Sequence, residues 1–158
     1  MDLATKLNLA LLCHLVGDYI LQSDYMALNK TKRTWVAAVH ATLYTVPFLI
    51  VTRHPAALAI ILLSHLVIDR FRLARYVAWA KNWLAPWQRK HEASRATIDG
   101  MPHARIKTTW VPPNRPWQQC QGTGYDPDRE KYLTVWLLII TDNTMHVCLN
   151  ALALYLFR

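Results

Sequence analysis

The chain has 158 residues, 53% of them hydrophobic and 18% charged, with a formal net charge of +8 and three cysteines. That length suits one domain of ordinary size, and three cysteines without a C-x-x-C exclude a disulfide framework and a zinc-thiolate motif. No nucleic-acid recognition motif accompanies the basic charge, so no nucleic-acid partner is expected.

In chain order, apolar blocks cover about residues 3–21, 34–52, 55–73 and 131–157. Each has roughly the 17–25 residues that a helix needs to cross a hydrocarbon core. The polar stripes of a soluble four-helix bundle are mostly missing from them. The expectation is all-α: a four-span transmembrane helix bundle forming a single integral membrane domain over 1–158. Asp2 and a single Lys6 precede the first block, and no small-residue cleavage site follows it, so this block is expected to remain as a span. The second block contains Pro47, which spanning helices tolerate better than soluble ones do. Pro55 suits the start of the third, and His54 beside it reads as a solvated turn residue.

The third block runs into "DRFRLARYVAWAKNWLAPWQRK". Trp79, Trp83 and Trp87 recur every four residues among Arg75, Lys81 and Arg89, the pattern of an interfacial helix with indoles at headgroup depth. An aromatic stripe packed on the bundle is the alternative. The cytoplasmic loop is expected over about 74–130, and within it residues 91–130 read as an irregular cap, with His91 and His103 as surface histidines.

Of the 18 lysines and arginines, 15 lie between residues 30 and 33 or between 70 and 131, and the other three are Lys6, Arg53 and Arg158. The positive-inside rule then puts both basic connections in the cytoplasm and both termini outside. The expected location is the bacterial inner membrane, with membrane lipid as a partner.

The apolar blocks hold three carboxylates, Asp18, Asp69 and Asp142, and each has a histidine four residues away. The pairs are His14/Asp18, His65/Asp69 and, reversed, Asp142/His146, and His40 sits in the remaining block. Positions i and i+4 share a helix face. The orientation set by Lys and Arg brings six of the seven groups to a similar depth, His146 being the exception. Ionisable residues inside a membrane are costly and usually face the bundle interior. Imidazole and carboxylate suit a divalent metal, zinc first, with manganese or iron as alternatives. The set exceeds what one tetrahedral ion needs and suits one or two ions, as in metal-assisted phosphoester hydrolysis. A proton relay or polar glue between helices are the other readings of the same pattern.

The stretches "HLVGDYILQSDYMALNK", "SHLVIDRFRLARY" and "TGYDPDREKYLTVWLLIITDNTMH" resemble a small membrane-protein family of unknown function found in bacteria and their phages. The resemblance spans nearly the whole chain. It makes His14, Asp18, Gln22, Asp24, His40, His65, Asp69, Asp142 and His146 the family's characteristic polar positions. Asn143 stands where the family often has Gln. The His/Asp pattern is similar to that of membrane-bound metal-dependent hydrolases, which in turn look distantly like zinc-dependent phospholipase C.

The function expected is a membrane-embedded metal-dependent hydrolase of a lipid or lipid-linked phosphoester. Its metal would be held by His14, Asp18, His40, His65, Asp69, Asp142 and His146. Asp24, at the cytoplasmic mouth of the first block, is the candidate general base. Gln22, Thr141 and Asn143 are candidates for hydrogen bonds behind the ligands, and Arg70 could bind a phosphate or simply set topology. The alternatives are a metal-stapled membrane protein that binds a host membrane protein, and a proton or ion relay.

Overall fold

The computed structural model describes residues 1–86, 88–98, 101–111 and 115–157, with the stretch 88–111 given by its backbone. All four apolar blocks are helical. Helix α1 (Leu3–Leu15) begins at Asp2, whose side chain accepts hydrogen bonds from the Thr5 backbone N–H at 2.9 Å and hydroxyl at 2.7 Å. It runs on into one π-helical turn, Val16–Ile20, closed by Leu21 N–H donating to the Val16 carbonyl at 2.9 Å. Helix α2 (Asp24–Asn29) is short and capped by Ser23.

Helix α3 (Thr34–Thr45) tightens into a 3-10 segment, Val46–Ile50, at Pro47, where no backbone N–H exists to continue the α pattern. Helix α4 (Pro55–Phe71) starts on its proline and ends at Arg72, whose backbone is left-handed with φ 52° and ψ 49°. The chain then turns into α5 (Leu73–Trp83), and α6 (Lys131–Leu156) closes the fold.

Helix α4 packs between α3 and α6, α1 packs on α6, and the Val16–Ile20 and Val46–Ile50 turns seat α1 against α3. Gly17 makes that last approach possible. A Cβ there would lie 2.5 Å from Tyr44 Cδ2 and 3.1 Å from Tyr44 Cα. Phe48, Ile61, Leu154 and Ala153 are fully buried and form an apolar core with Tyr44, Ala10, Cys13 and Val51. Cys13, Cys120 and Cys148 are free thiols.

Among the described residues one helix, Lys131–Leu156, is long and apolar enough to cross a membrane, and Thr34–Ile50 is a shorter apolar helix. At 1.5 Å per residue the 26 residues of α6 extend about 39 Å and the 17 of α4 about 26 Å.

The expected irregular cap is more regular than its composition suggests. Strands β1 (Gln88–Ile98) and β2 (Met101–Val111) pair antiparallel over eleven residues each, from Gln88↔Val111 to Ile98↔Met101. The sequence Asp99-Gly100 between them is a strong two-residue hairpin signal. The side chains of His91, His103 and Arg89, and Trp87 altogether, lie outside the described residues.

Residues 115–130 lack long elements but are tied down. Trp79 Nε1 donates to the Arg115 carbonyl at 3.1 Å, and Trp117 stacks on Tyr76 at 4.6 Å. Gln121 donates to the carbonyls of Asp126 and Arg129 and accepts from the Thr134 hydroxyl at 3.0 Å. Gly124, with φ 83°, lies so close over the backbone of Arg75 that any side chain would collide with it. Ala74 and Ala78 bury one face of α5 in the bundle, Trp79 holds this segment, and Trp83 stays exposed. Helix α5 thus packs through Trp79 and leaves Trp83 on its outer face.

Candidate metal centre

Helices α1, α3, α4 and α6 each turn histidines or aspartates into one buried cluster. His14, His40, His65 and His146 are each at most 1% exposed, and Asp69 is 4% exposed. The i,i+4 spacing delivers the pairs as the sequence suggests, and packing then joins pairs from different helices. His65 Nε2 lies 2.9 Å from His40 Nε2. His40 Nε2 is 3.3 Å from Asp18 Oδ1 and 3.2 Å from Asp69 Oδ2. His65 Nε2 is 3.4 Å and 3.1 Å from the same two oxygens.

These four atoms make a compact tetrad. Four ligand atoms held tetrahedrally at about 2.0–2.2 Å from zinc would lie about 3.3–3.6 Å from one another. Hydrogen bonds alone account poorly for the set, because each imidazole Nε2 carries at most one hydrogen and His40 Nε2 has several neighbours in reach. Asp18 Oδ1 and Asp69 Oδ2 are buried without a well-aligned hydrogen bond.

Asp69 turns its other oxygen toward a second group. His146 Nε2 is 3.6 Å from Asp69 Oδ1 and 3.5 Å from Asp142 Oδ2. The sets His40/His65/Asp69, Asp18/His65/His146 and Asp69/Asp142/His146 each bring their ligand atoms within 4.8 Å of one another, and each could hold a metal ion. The same residues are also ion-paired among themselves, so the arrangement serves equally as a charge network.

The expected ligand set divides. His40, His65, Asp18, Asp69, Asp142 and His146 converge, whereas His14 stands behind them. His14 Nδ1 is 3.3 Å from Asp18 Oδ2, the oxygen turned away from the tetrad, and 3.0 Å from the Tyr44 hydroxyl. It orients Asp18 and lies outside all three ligand sets. Asp24 is not brought to the cluster: it is exposed in the first turn of α2. Arg70 is engaged elsewhere, donating to the Thr31 carbonyl at 2.7 Å and the Thr34 hydroxyl at 3.1 Å, which fastens the α2–α3 connection to α4. Thr141 donates to the Leu137 carbonyl within its own helix. Asn143 donates to the Tyr19 hydroxyl at 2.6 Å, and Gln22 joins both in lining a cavity.

That cavity, about 290 Å³, is floored by Asp18, Asp69 and Asp142. Its cations are Lys30 and Arg72, and Leu138 and Ile139 supply apolar wall.

Tyr44, Asn150 and Lys30 were not singled out from the sequence. The Tyr44 ring stacks on His65 at 3.6 Å with 16° between planes, and its hydroxyl accepts from Asn150 Nδ2 at 2.6 Å. Tyr44 follows His40 by four residues and Asn150 follows His146 by four, so the helical spacing that reveals the pairs reveals their supports too. Lys30 Nζ lies 2.8 Å from Asp69 Oδ2. No pattern marks it, because it is one of three adjacent cations that all read as topology charge.

A family described as Protein of unknown function (DUF3307) matches residues 7–104, a stretch that holds Asp18, His40, His65 and Asp69 but neither Asp142 nor His146. No curated protein and no solved structure matches the chain.

Proposed function

The chain belongs to the DUF3307 family, and we propose that its buried His/Asp cluster is a divalent-metal centre of a membrane-embedded hydrolase acting on a lipid or lipid-linked phosphoester. The observation that carries this reading is the tetrad of His40 Nε2, His65 Nε2, Asp18 Oδ1 and Asp69 Oδ2, in which each imidazole nitrogen lies 2.9–3.4 Å from the other and from both carboxylate oxygens. Asp69, with an oxygen toward each group, suits a carboxylate shared by two ions. Zinc, manganese and iron all accept this donor set.

A bound ion would supply a water acidic enough to give hydroxide near neutral pH. The protein's own part is to fix the donors. His14 and Tyr44 hold Asp18 and His65 in place, and such supports commonly matter nearly as much as the ligands themselves. Asp142 has the most exposed carboxylate of the three, its side chain 29% exposed, which suits it to taking a proton from an attacking water.

The membrane setting is supported by an inverted polarity. The bundle buries histidines, aspartates, threonines and an asparagine, while Leu12, Ile20, Ile50, Leu63, Trp136 and Ile140 face outward, each more than half exposed. Apolar surface on that scale calls for an apolar surrounding. Four spans with both termini outside fit the distribution of basic residues.

One feature favours a second reading, a proton relay. His14, Asp18, His40, His65, Asp69, His146 and Asp142 form a continuous chain with no step above 3.6 Å.

The test is metal content by mass spectrometry on the detergent-purified protein, beside His65→Ala and Asp69→Ala. The expected result is at least one tightly held ion, lost in both variants, together with metal-dependent cleavage of a chromogenic phosphodiester. A folded wild type without metal that carries protons across vesicles would replace the hydrolase with the relay.

A further inference from the structure

Lys30 has a relation to the cluster that metal binding alone does not explain. Its ammonium lies 2.8 Å from Asp69 Oδ2 and 3.5 Å from His40 Nε2. Those are two of the four tetrad atoms. An ion bound to them would sit within a few ångströms of Nζ, too close for two cations in a site this buried. Lys30 is rooted at the end of α2 on a flexible four-carbon stem, and its side chain, 17% exposed, already lines the cavity. Arg72 is the other cation there. It is the only non-glycine residue with a positive φ among the described residues, and this strained backbone sets the joint between α4 and α5.

We infer that Lys30 and a divalent ion compete for Asp69 and His40, and that displaced Lys30 joins Arg72 as a clamp for a phosphate-type anion in the cavity. The inference rests on the metal reading above. Its consequence is a coupling. The ion frees the clamp, so ion and anion must strengthen each other's binding by the same factor.

The experiment titrates zinc into chelator-stripped, full-length protein in detergent, read by competition with a chromogenic chelator, with and without methylphosphonate. In the wild type, methylphosphonate should tighten zinc binding about tenfold, inside the usual range of coupling between sites. Lys30→Met should bind zinc alone about tenfold more tightly than the wild type and lose most of the methylphosphonate effect. Lys30→Gln should repeat this. Arg72→Met should leave affinity for zinc alone unchanged and weaken only the response to methylphosphonate.

Lys30 variants that bind zinc no more tightly, or a wild type indifferent to methylphosphonate, would overturn the inference while leaving the metal centre standing. A wild type that binds no zinc would remove both. Short-chain phosphatidic acid as a second probe identifies the anion's source. Greater tightening than with methylphosphonate assigns a lipid headgroup, and equal tightening assigns a free anion.

Discussion

Gly17 shows how much of the centre depends on a single missing Cβ. A Cβ at Gly17 would stand only 2.5 Å from Tyr44 Cδ2, so its absence sets how closely α1 and α3 approach, and Tyr44 in turn carries His65 on its ring face. Gly17→Ala should therefore destabilise the protein by about 1–3 kcal/mol, the usual cost of overpacking, and weaken metal binding along with it. Denaturant melts of the two proteins in the same detergent would read the first effect. A variant as stable as the wild type would mean the helices slide apart freely. Tyr44→Phe isolates the hydroxyl. It leaves Asn150 and His14 without their shared partner and should cost about 1–3 kcal/mol while the aromatic stacking on His65 survives. Thermal melts with and without added zinc would separate the structural loss from any loss of metal.

The residue scale is also where the sequence is most legible. His14/Asp18, His65/Asp69 and Asp142/His146 are visible because one helical turn fixes their spacing. Lys30 and Arg72 are not, because each reaches the cavity through a loop or a helix joint, and no periodicity relates a loop side chain to a helix three elements away. His14 was legible as a member of the cluster, but its contact with Asp18 Oδ2 was not. Spacing assigns a face, and only packing decides which carboxylate oxygen the imidazole meets.

At the scale of elements, α5 and the segment after the hairpin behave as one unit. Gly124 sits over the Arg75 backbone, Trp79 donates to the Arg115 carbonyl, and Lys81 stands over the Tyr125 ring at 5.6 Å. Gly124→Ala adds a side chain at a position both crowded and left-handed, so it should release this segment from α5. Limited proteolysis should then cut between residues 115 and 130 faster than in the wild type, with the helical circular dichroism unchanged. Equal cutting would show that the aromatic contacts alone hold the segment. The four helices themselves were legible as apolar blocks, to within one or two residues at most ends. The hairpin was obscured by its polar, basic composition, which reads as loop, and its one clear signal is Asp99-Gly100.

For the whole molecule, the question is whether the fold would outlast removal of a bound ion. Phe48, Ile61 and Leu154 pack into an apolar core that meets the His/Asp cluster through Tyr44, which gives the bundle support that no ion supplies. Chelation should lower the thermal midpoint and abolish the proposed hydrolysis, yet leave the helical content intact. Collapse of the helical signal on chelation would make the ion a structural staple. The proposed four-span arrangement has its own check. In intact cells a membrane-impermeant maleimide should label Lys6→Cys and Arg158→Cys proteins at the termini and leave Cys120 untouched until the membrane is opened.

The tetrad and its neighbour draw on the first helix and the last. Asp18 is in place early in synthesis, whereas Asp142 and His146 come near the end of the chain. Synthesis therefore makes all four tetrad residues before the other two members of the second group. Asp69 follows Lys30 in the chain and precedes His146, and it pairs with both in the folded protein. Lys30, 2.8 Å from Asp69 Oδ2 in the folded chain, is thus a counter-ion for this buried acid that is synthesised well before His146.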